Sequence, residues 1–401
     1  MKRISTILLI LVFSLTGKAQ PLDSLLSQLR SENPELRALD RMHRADQLIP
    51  DQVDDWADTE FGAGFGLLPT ETRLGPQRFK LSVTQMLPWP GRLDAKRNLA
   101  EAKASVSRWD APSRALLMER RFTEAYYRLY ELRKTDGIIA GQLVIVEQLR
   151  RLLLQRVAAG QARTTALLRL DLREEELREQ RQSLVVRQQV PLSVMQELLG
   201  TDRPVFTPDT LAIALFPEKV QVDSSHPEIL GLEQQLRVAE SEIAVAELQR
   251  KPSLGVGLDY FLVGARNDAD PAGNGRDIVL PRVMLSVPLG GDRYDNRQEE
   301  QRVRMAAIAD RERGFVLALR QKQTEARARY EEALLALESY ARQQTVLSET
   351  IELEIRALST GETRLEEVLD LYNREIEYQI KELRAIVTTH LALADLVSTL
   401  P

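Results

Sequence analysis

Residues 81–104 read LSVTQMLPWPGRLDAKRNLAEAKA, and this stretch decides the fold. Leu81, Val83 and Gln85 alternate with Ser82, Thr84 and Met86, the period of a strand with two different faces. Pro88, Trp89, Pro90 and Gly91 then stop that strand, because proline has no N–H to give to a ladder and glycine lets the backbone turn. The residues after Gly91 are charged and alanine-rich, a helix. The stretch predicts a strand pair feeding directly into long helices. Trp89 at the junction suits a membrane–water interface, and plain packing between strand and helix accounts for it equally well.

Upstream, Phe61, Ala63, Phe65 and Leu67 alternate with Gly62, Gly64 and Gly66, predicting a strand over about 59–68. A second covers about 78–87, with Arg78, Lys80, Ser82 and Thr84 on one face and Phe79, Leu81, Val83 and Leu87 on the other. Further along, Leu254, Val256, Leu258, Tyr260 and Leu262 alternate with Gly255, Gly257 and Asp259, over about 253–263. Val283, Leu285, Val287 and Leu289 alternate with Arg282, Met284 and Ser286, over about 282–289. Between these two lies ARNDADPAGNGRD, 265–277, a polar loop. Each strand has about the ten residues that cross a bilayer when tilted.

The four strands belong to a tandem duplication. At an offset of 193, Pro34, Glu35 and Leu36 fall on Pro227, Glu228 and Ile229, and Gly62 and Gly64 fall on Gly255 and Gly257. The tripeptide LSV at 81–83 recurs at 285–287, an offset of 204, so the second copy has eleven extra residues between its strands. From Arg92 and Arg293 onward the offset is 201, and it still holds at Gly160 and Gly361. There Arg163 matches Arg364 and Leu167 matches Val368. The first repeat takes 20–200, a linker 201–225, and the second repeat 226–401. Each begins with a helix, capped in the first case by Asn33 ahead of Pro34.

Long helices fill the rest. From Asp292 to Leu400 there is no proline, and 292–358 make one helix of about 100 Å at 1.5 Å per residue. Gly361 offers a turn, as Gly160 does in the first repeat. On the returning helix, Leu369, Tyr372, Ile376, Ile380, Leu383, Val387 and Leu391 follow an eleven-residue period, which favours nearly straight helices over a heptad coiled coil. Pro112 interrupts the first long helix. It either kinks that helix or, with Asp110 as cap, marks where a second one starts.

Composition narrows the function. The formal net charge is -5 and nothing points to nucleic acid. There is no cysteine, which excludes thiol chemistry and disulfides, and the three histidines, His43, His226 and His390, have no partner at metal-ligand spacing. With only seven methionines as well, the sequence displays no metal or cofactor site. FGAGFG lacks the spacing and context of a dinucleotide fingerprint. No nucleophile, acid or base constellation appears, so an enzyme is not expected. Lys2 and Arg3 precede an apolar run over 7–15, with Gly17 and Ala19 placed as a cleavage site: 1–19 read as a secretory signal peptide. No later segment is apolar enough for a membrane helix, so entry into a membrane is by strands. Four strands cannot close a barrel, since membrane barrels start at eight; two chains would supply eight strands and three would supply twelve.

The duplicated order of helix, strand, strand, long helix, turn and helix, together with NPEL, HPEI, MLPWPGR, VPLGGDR and the two glycine turns, resembles the TolC-like outer-membrane efflux proteins. The resemblance covers the mature chain. It implies a mainly α protein with a β-barrel portion: a homotrimer with a twelve-stranded outer-membrane barrel in lipid, standing on a periplasmic α-helical cylinder. The implied role is the exit duct of a tripartite efflux system, with a periplasmic adaptor and an inner-membrane pump as partners and no cofactor. The helical turns would form the periplasmic tip, as gate or adaptor contact. They comprise Gly160, Arg163, Thr164 and Leu167 in one repeat, and Gly361, Arg364, Leu365 and Val368 in the other. Glu362, Glu366 and Asp370 would be acids at the pore mouth, although charge on a helix is more often simply solvated. Pro88, Trp89, Pro90, Gly91, Gly290 and Gly291 mark the strand–helix junctions. Relatives often carry a lipidated cysteine; none exists here. The PWPG element resembles a branch associated with heavy-metal efflux. A periplasmic adaptor and a secreted structural coiled coil are the alternatives.

Overall fold

The structure, a computed structural model, describes residues 21–53, 55–202, 205–208, 210–217, 224–269, 271–290 and 292–400. The expected signal peptide, Gly291 and part of the 201–225 linker lie outside them. The first repeat contains α1 (Leu22–Glu32), α2 (Pro34–Asp46), β1 (Glu60–Thr72), β2 (Gly75–Leu87), α3 (Arg92–Ser107), α4 (Asp110–Ala158) and α5 (Thr164–Leu199). The second contains α6 (Pro227–Gln249), β3 (Ser253–Val263), β4 (Ile278–Ser286), α7 (Asp292–Thr360) and α8 (Leu365–Val397).

Local chemistry sets these boundaries. The Asn33 side-chain oxygen accepts from the N–H groups of Glu35 and Leu36 at 2.9 and 3.0 Å, capping α2. His226 does the same for α6, its Nδ1 accepting from the Glu228 N–H at 3.2 Å. Pro112 settles as a helix start rather than a kink. It is the third residue of α4, where a missing N–H costs nothing, and the chain turns at Arg108 and Trp109 just before it. Asp110 is the first helical residue and not the cap. α7, without proline, runs unbroken for 69 residues.

Three strands depart from their expected bounds. β1 continues to Thr72 and β2 begins at Gly75, because Thr70, Glu71 and Thr72 pair with Gln77, Pro76 and Gly75. These residues carry no apolar alternation, so the sequence pattern ended before the ladder did. β4 occupies 278–286 instead of about 282–289. Ile278 to Pro281 pair with Phe261 to Leu258, and β4 is an edge strand, where proline is tolerated. Its other end stops where β3 begins, at the Ser253–Ser286 pair.

The chain divides into two units. One, from 37–113 and 223–318, holds the sheet, in antiparallel order β1-β2-β3-β4, with α3 packed on α6. The repeats meet at the β2–β3 ladder. The other unit, from the described residues of 21–36, 114–217 and 319–400, is mainly helical. From Leu132 onward the buried residues of α4 are Leu132, Thr135, Ile139, Gln142, Val146, Leu149 and Leu153, spaced alternately three and four. That is a heptad seam, so the eleven-residue period expected from α8 does not extend to α4. Gln142 donates to Glu375 of α8 at 3.3 Å, and Gln344 of α7 donates to Glu382 of α8 at 2.7 Å. Such polar layers fix the register of the seam.

Extended residues 210–217 lie across this unit as a strap. The Tyr330 hydroxyl donates to the Ala214 carbonyl at 2.8 Å, and Phe216 stacks on Tyr330. The His390 Nε2 is 2.7 Å from the Ala212 carbonyl, and its ring lies 4.7 Å from that of Tyr127. Burial lowers the His390 pKa below its ordinary value of 6.5, against a smaller upward pull from the Ala212 carbonyl. The folded state therefore prefers neutral imidazole, and the unfolded chain takes up the proton first. This contribution is complete above pH 6.5 and is lost as pH falls through the lowered folded value. Hydrogen exchange of 210–217 is expected to accelerate between pH 7.5 and 5 beyond the intrinsic change. In His390→Gln that additional acceleration should disappear.

Candidate functional site

Two regions carry functional geometry, one in each unit. The first is the sheet. On one face the rungs read Phe61, Val83, Leu258, Pro281 and then Ala63, Leu81, Tyr260, Val279. This face is apolar and open: Phe61 is 82% exposed, Leu67 90% and Val283 72%. A large exposed apolar patch marks an interaction surface or contact with lipid. Gln85 is its polar exception, and its amide donates to the Ala57 carbonyl at 2.7 Å.

The opposite face is built on glycine and charge. Its rungs read Glu60, Thr84, Gly257, Arg282 and Gly62, Ser82, Asp259, Leu280. Arg282 on β4 crosses the bare Gly257 of β3 and donates to the Thr84 hydroxyl of β2 at 2.8 Å. Lys80 on β2 reaches Asp259 on β3 at 3.2 Å, and Arg282 stands 3.8 Å from the same carboxylate. Asp259 is only 3% exposed beneath these two cations. The glycines that alternate in sequence are thus the gaps across which long side chains lace three strands together. Both outer edges, at β1 and β4, are unpaired among the described residues.

At one end of the sheet the β1–β2 turn is locked to the β3–β4 loop. The Gly264 N–H donates to the Pro76 carbonyl at 2.8 Å and the Gly275 N–H to the Leu74 carbonyl at 2.7 Å. Arg266 and Asp268 form a two-point ion pair that holds the Asp268 carboxyl down at about 2. Gly75 has φ +125°, and a Cβ there would strike the Gly264 carbonyl oxygen. At the other end, Gly91 has φ +80° and begins α3. Arg92 then donates to the Leu248 and Lys251 carbonyls at 3.1 and 2.6 Å, so the Pro88–Gly91 junction is tied to the end of α6. Trp89 is exposed, as are Pro90 and Gly290.

The second region is the pair of helical turns. Gly160 and Gly361 have φ +70° and +88° and close the same motif. The Gln161 N–H donates to the Arg156 carbonyl at 2.8 Å and Gly160 to Val157 at 3.0 Å. Glu362 donates to Ala357 at 2.9 Å and Gly361 to Leu358 at 3.3 Å. Arg163 and Arg364 are the N-caps of α5 and α8, in extended conformation and exposed. Neither side chain caps its helix, and a cation there opposes the helix dipole. Thr164 is exposed and Leu167 half-buried. Leu365 and Val368 are buried, 4% and 0% exposed, packed with Leu153, Leu170 and Leu358. They hold the hairpins together and are not surface contacts in this chain. Among the acids, Glu362 and Asp370 are exposed, whereas Glu366 is paired with Arg169.

Sequence reasoning missed Arg156 and Arg169. Arg169 of α5 pairs with Glu366 of α8, and Arg156 of α4 donates to the Leu358 carbonyl of α7. Together they clasp one hairpin to the other. A Cβ on Gly361 would lie 3.0 Å from the Arg156 Nη2. The repeat alignment could not find Arg156, since its counterpart at offset 201 is Ala357.

No protein-family model matches this sequence, and no curated protein does. Solved structures do match. CusC, studied for folding and transmembrane channel formation, superposes with a TM-score of 0.78 at 14% identity, over 96% of this chain and 95% of that one. The outer-membrane channel OprN gives 0.74 at 19%, over 94% and 89%. The open state of the Neisseria gonorrhoeae MtrE outer-membrane channel gives 0.73 at 17%, over 94% and 88%. The fold of this chain is the TolC-like fold of these channels.

The glycines supply two tests. Gly75→Ala should release the β3–β4 loop, seen as faster hydrogen exchange over 264–277, while Gly64→Ala, with open space around it, should not. At the turns, Gly160→Ala should cost about 1–2 kcal/mol for its left-handed backbone. Gly361→Ala should cost more, because Arg156 must move as well. In an Arg156→Ala background the two costs should become equal, which denaturant unfolding of the four variants measures.

Proposed function

We propose that three copies of this chain close a twelve-stranded barrel in the outer membrane and form the exit duct of a tripartite efflux system. Small molecules or metal ions would pass through it from periplasm to exterior without chemistry. The observation that carries this reading is the four-stranded sheet, with an open apolar face, a glycine-and-charge face and two free edges. Lipid requires every backbone N–H and C=O to be paired, so edges this free need neighbouring copies beside them. The likeness to outer-membrane channels over nearly the whole chain supports the same reading.

In that arrangement the apolar face meets lipid and the Arg282–Asp259–Lys80 face lines the lumen. The helical turns form the periplasmic tip. The Arg156 and Arg169 clasp would set how far one hairpin can move from the other, and the exposed Arg163 and Arg364 would meet the adaptor, which in turn engages an inner-membrane pump. An adaptor role for this chain is less well supported, since two hairpins and a shared sheet are present where one hairpin would serve. A secreted coiled coil leaves the sheet without a use.

Membrane fractionation and native mass measurement test the proposal. A heat-sensitive trimer in the outer membrane is the expected result; a soluble monomer overturns it. Paired variants sharpen the test. Val283→Arg on the apolar face should block insertion, at about 2–4 kcal/mol per chain near the bilayer midplane, while Leu280→Arg on the other face should be tolerated. Equal tolerance of both would mean that the apolar face does not meet lipid.

A further inference from the structure

Within the unit that holds the sheet, α3, α6 and α7 line a cavity of about 380 Å³. Small-ligand sites span roughly 300–1,000 Å³. Val106 of α3, Val238 of α6 and Ile308 of α7 give the cavity apolar walls. Gln301 of α7 also lines it and is only 5% exposed. Buried polar groups are nearly always hydrogen-bonded, yet the Gln301 carboxamide has no partner among the described residues. The fold does not demand a polar group at this position: its match in the first repeat is Ala100, itself 7% exposed.

Two cations complete the lining, Lys103 of α3 and Arg304 of α7. They too are matched positions of the two repeats, 201 residues apart. Lys103 pairs with Glu242 at 2.8 Å and Arg304 with Glu300 at 2.5 Å, while Arg297 stands 3.7 Å from Glu242. Three cations thus share two carboxylates. A lysine has three N–H donors and an arginine five, so donors are left over at the cavity.

We propose that this cavity binds a small apolar carboxylate, an aromatic or short-chain acid. The carboxylate accepts from the Gln301 amide and from the spare donors of Lys103 and Arg304. The ring or chain covers the apolar walls. A hydrogen bond to an ionised acceptor is shorter and stronger than one to a neutral acceptor, and the uncommitted positive charge adds to that preference. Glu242 and Glu300 limit the preference to a singly charged head, since a doubly charged anion meets twice the repulsion from them. Water can pair with the carboxamide, but it gains nothing from the walls. The site does not rest on the duct reading, because it needs neither a barrel nor a lumen.

The test is fluorine NMR of the full chain in detergent, with para-trifluoromethylbenzoate as the probe. Its resonance should shift and broaden on adding protein and saturate at one probe per chain. The uncharged para-trifluoromethylbenzamide should bind at least fivefold more weakly. Gln301→Leu, similar in volume and placed where the other repeat packs alanine, should weaken binding more than tenfold. Lys103→Gln and Arg304→Gln should each weaken it several-fold, whereas Arg311→Gln, exposed on α7 outside the cavity, should not. A probe that does not respond at millimolar concentration means that water alone satisfies Gln301, and the proposal falls. It falls equally if the benzamide binds as well as the benzoate, or if Gln301→Leu binds like the parent chain. A response seen in the monomer and lost in an oligomer means that a second copy fills the cavity, which overturns the ligand. Binding in a protein that proves not to be a membrane trimer supports the site, and the duct reading falls alone.

Discussion

A β-ladder in lipid must be closed, and an apolar sheet face in water must be covered. The sheet of this protein meets neither condition by itself. Its face bearing Phe61, Leu67 and Val283 is bare, and its β1 and β4 edges are open. Burying one large apolar side chain is worth roughly 1.5–3 kcal/mol, so a face of this extent cannot be left to water without strong pressure to associate. The proposed barrel answers both demands at once, since copies joined edge to edge close the ladder and present a continuous apolar outside.

The other face explains how the sheet can hold its shape within one chain. Glycine usually weakens a strand, because it loses the most conformational freedom on folding and has no side chain to pack. Here its cost is offset by what it admits. Gly257 lets Arg282 reach Thr84 two strands away, and Gly255 lets two methionines share a rung. Three strands from two repeats are laced by side chains as well as by the backbone.

Much of this was legible in the sequence. Asn33 ahead of Pro34, the alternation of 81–87 and the two turn glycines state local rules that the structure obeys. What could not be read depended on partners. Pro281 and the polar TET and GPQ segments gave no strand signal, because an edge strand tolerates proline and a ladder can pair any residues. The heptad of α4 includes Thr135 and Gln142, which break an apolar pattern until Glu375 is seen to face the latter. Leu365 and Val368 stood on the turn in sequence, yet packing turned them inward. Met86 and Met284 needed the register of three strands to become neighbours.

The two helical turns carry the remaining lesson, which concerns duplication. Their backbones close the same motif, each with a left-handed glycine and an arginine at the following N-cap. Their side chains are not the same. Both clasp donors, Arg156 and Arg169, come from the first repeat; both acceptors, the Leu358 carbonyl and Glu366, come from the second. Two identical turns could only compete for the same partners. A duplicated hairpin becomes a jointed pair when one copy supplies cations and the other supplies oxygen. The arginines at the N-caps do the opposite, lowering helix stability at both turns without a side-chain capping hydrogen bond. In the duct proposed above, this shared departure from the capping rule falls where the adaptor would meet the helical turns.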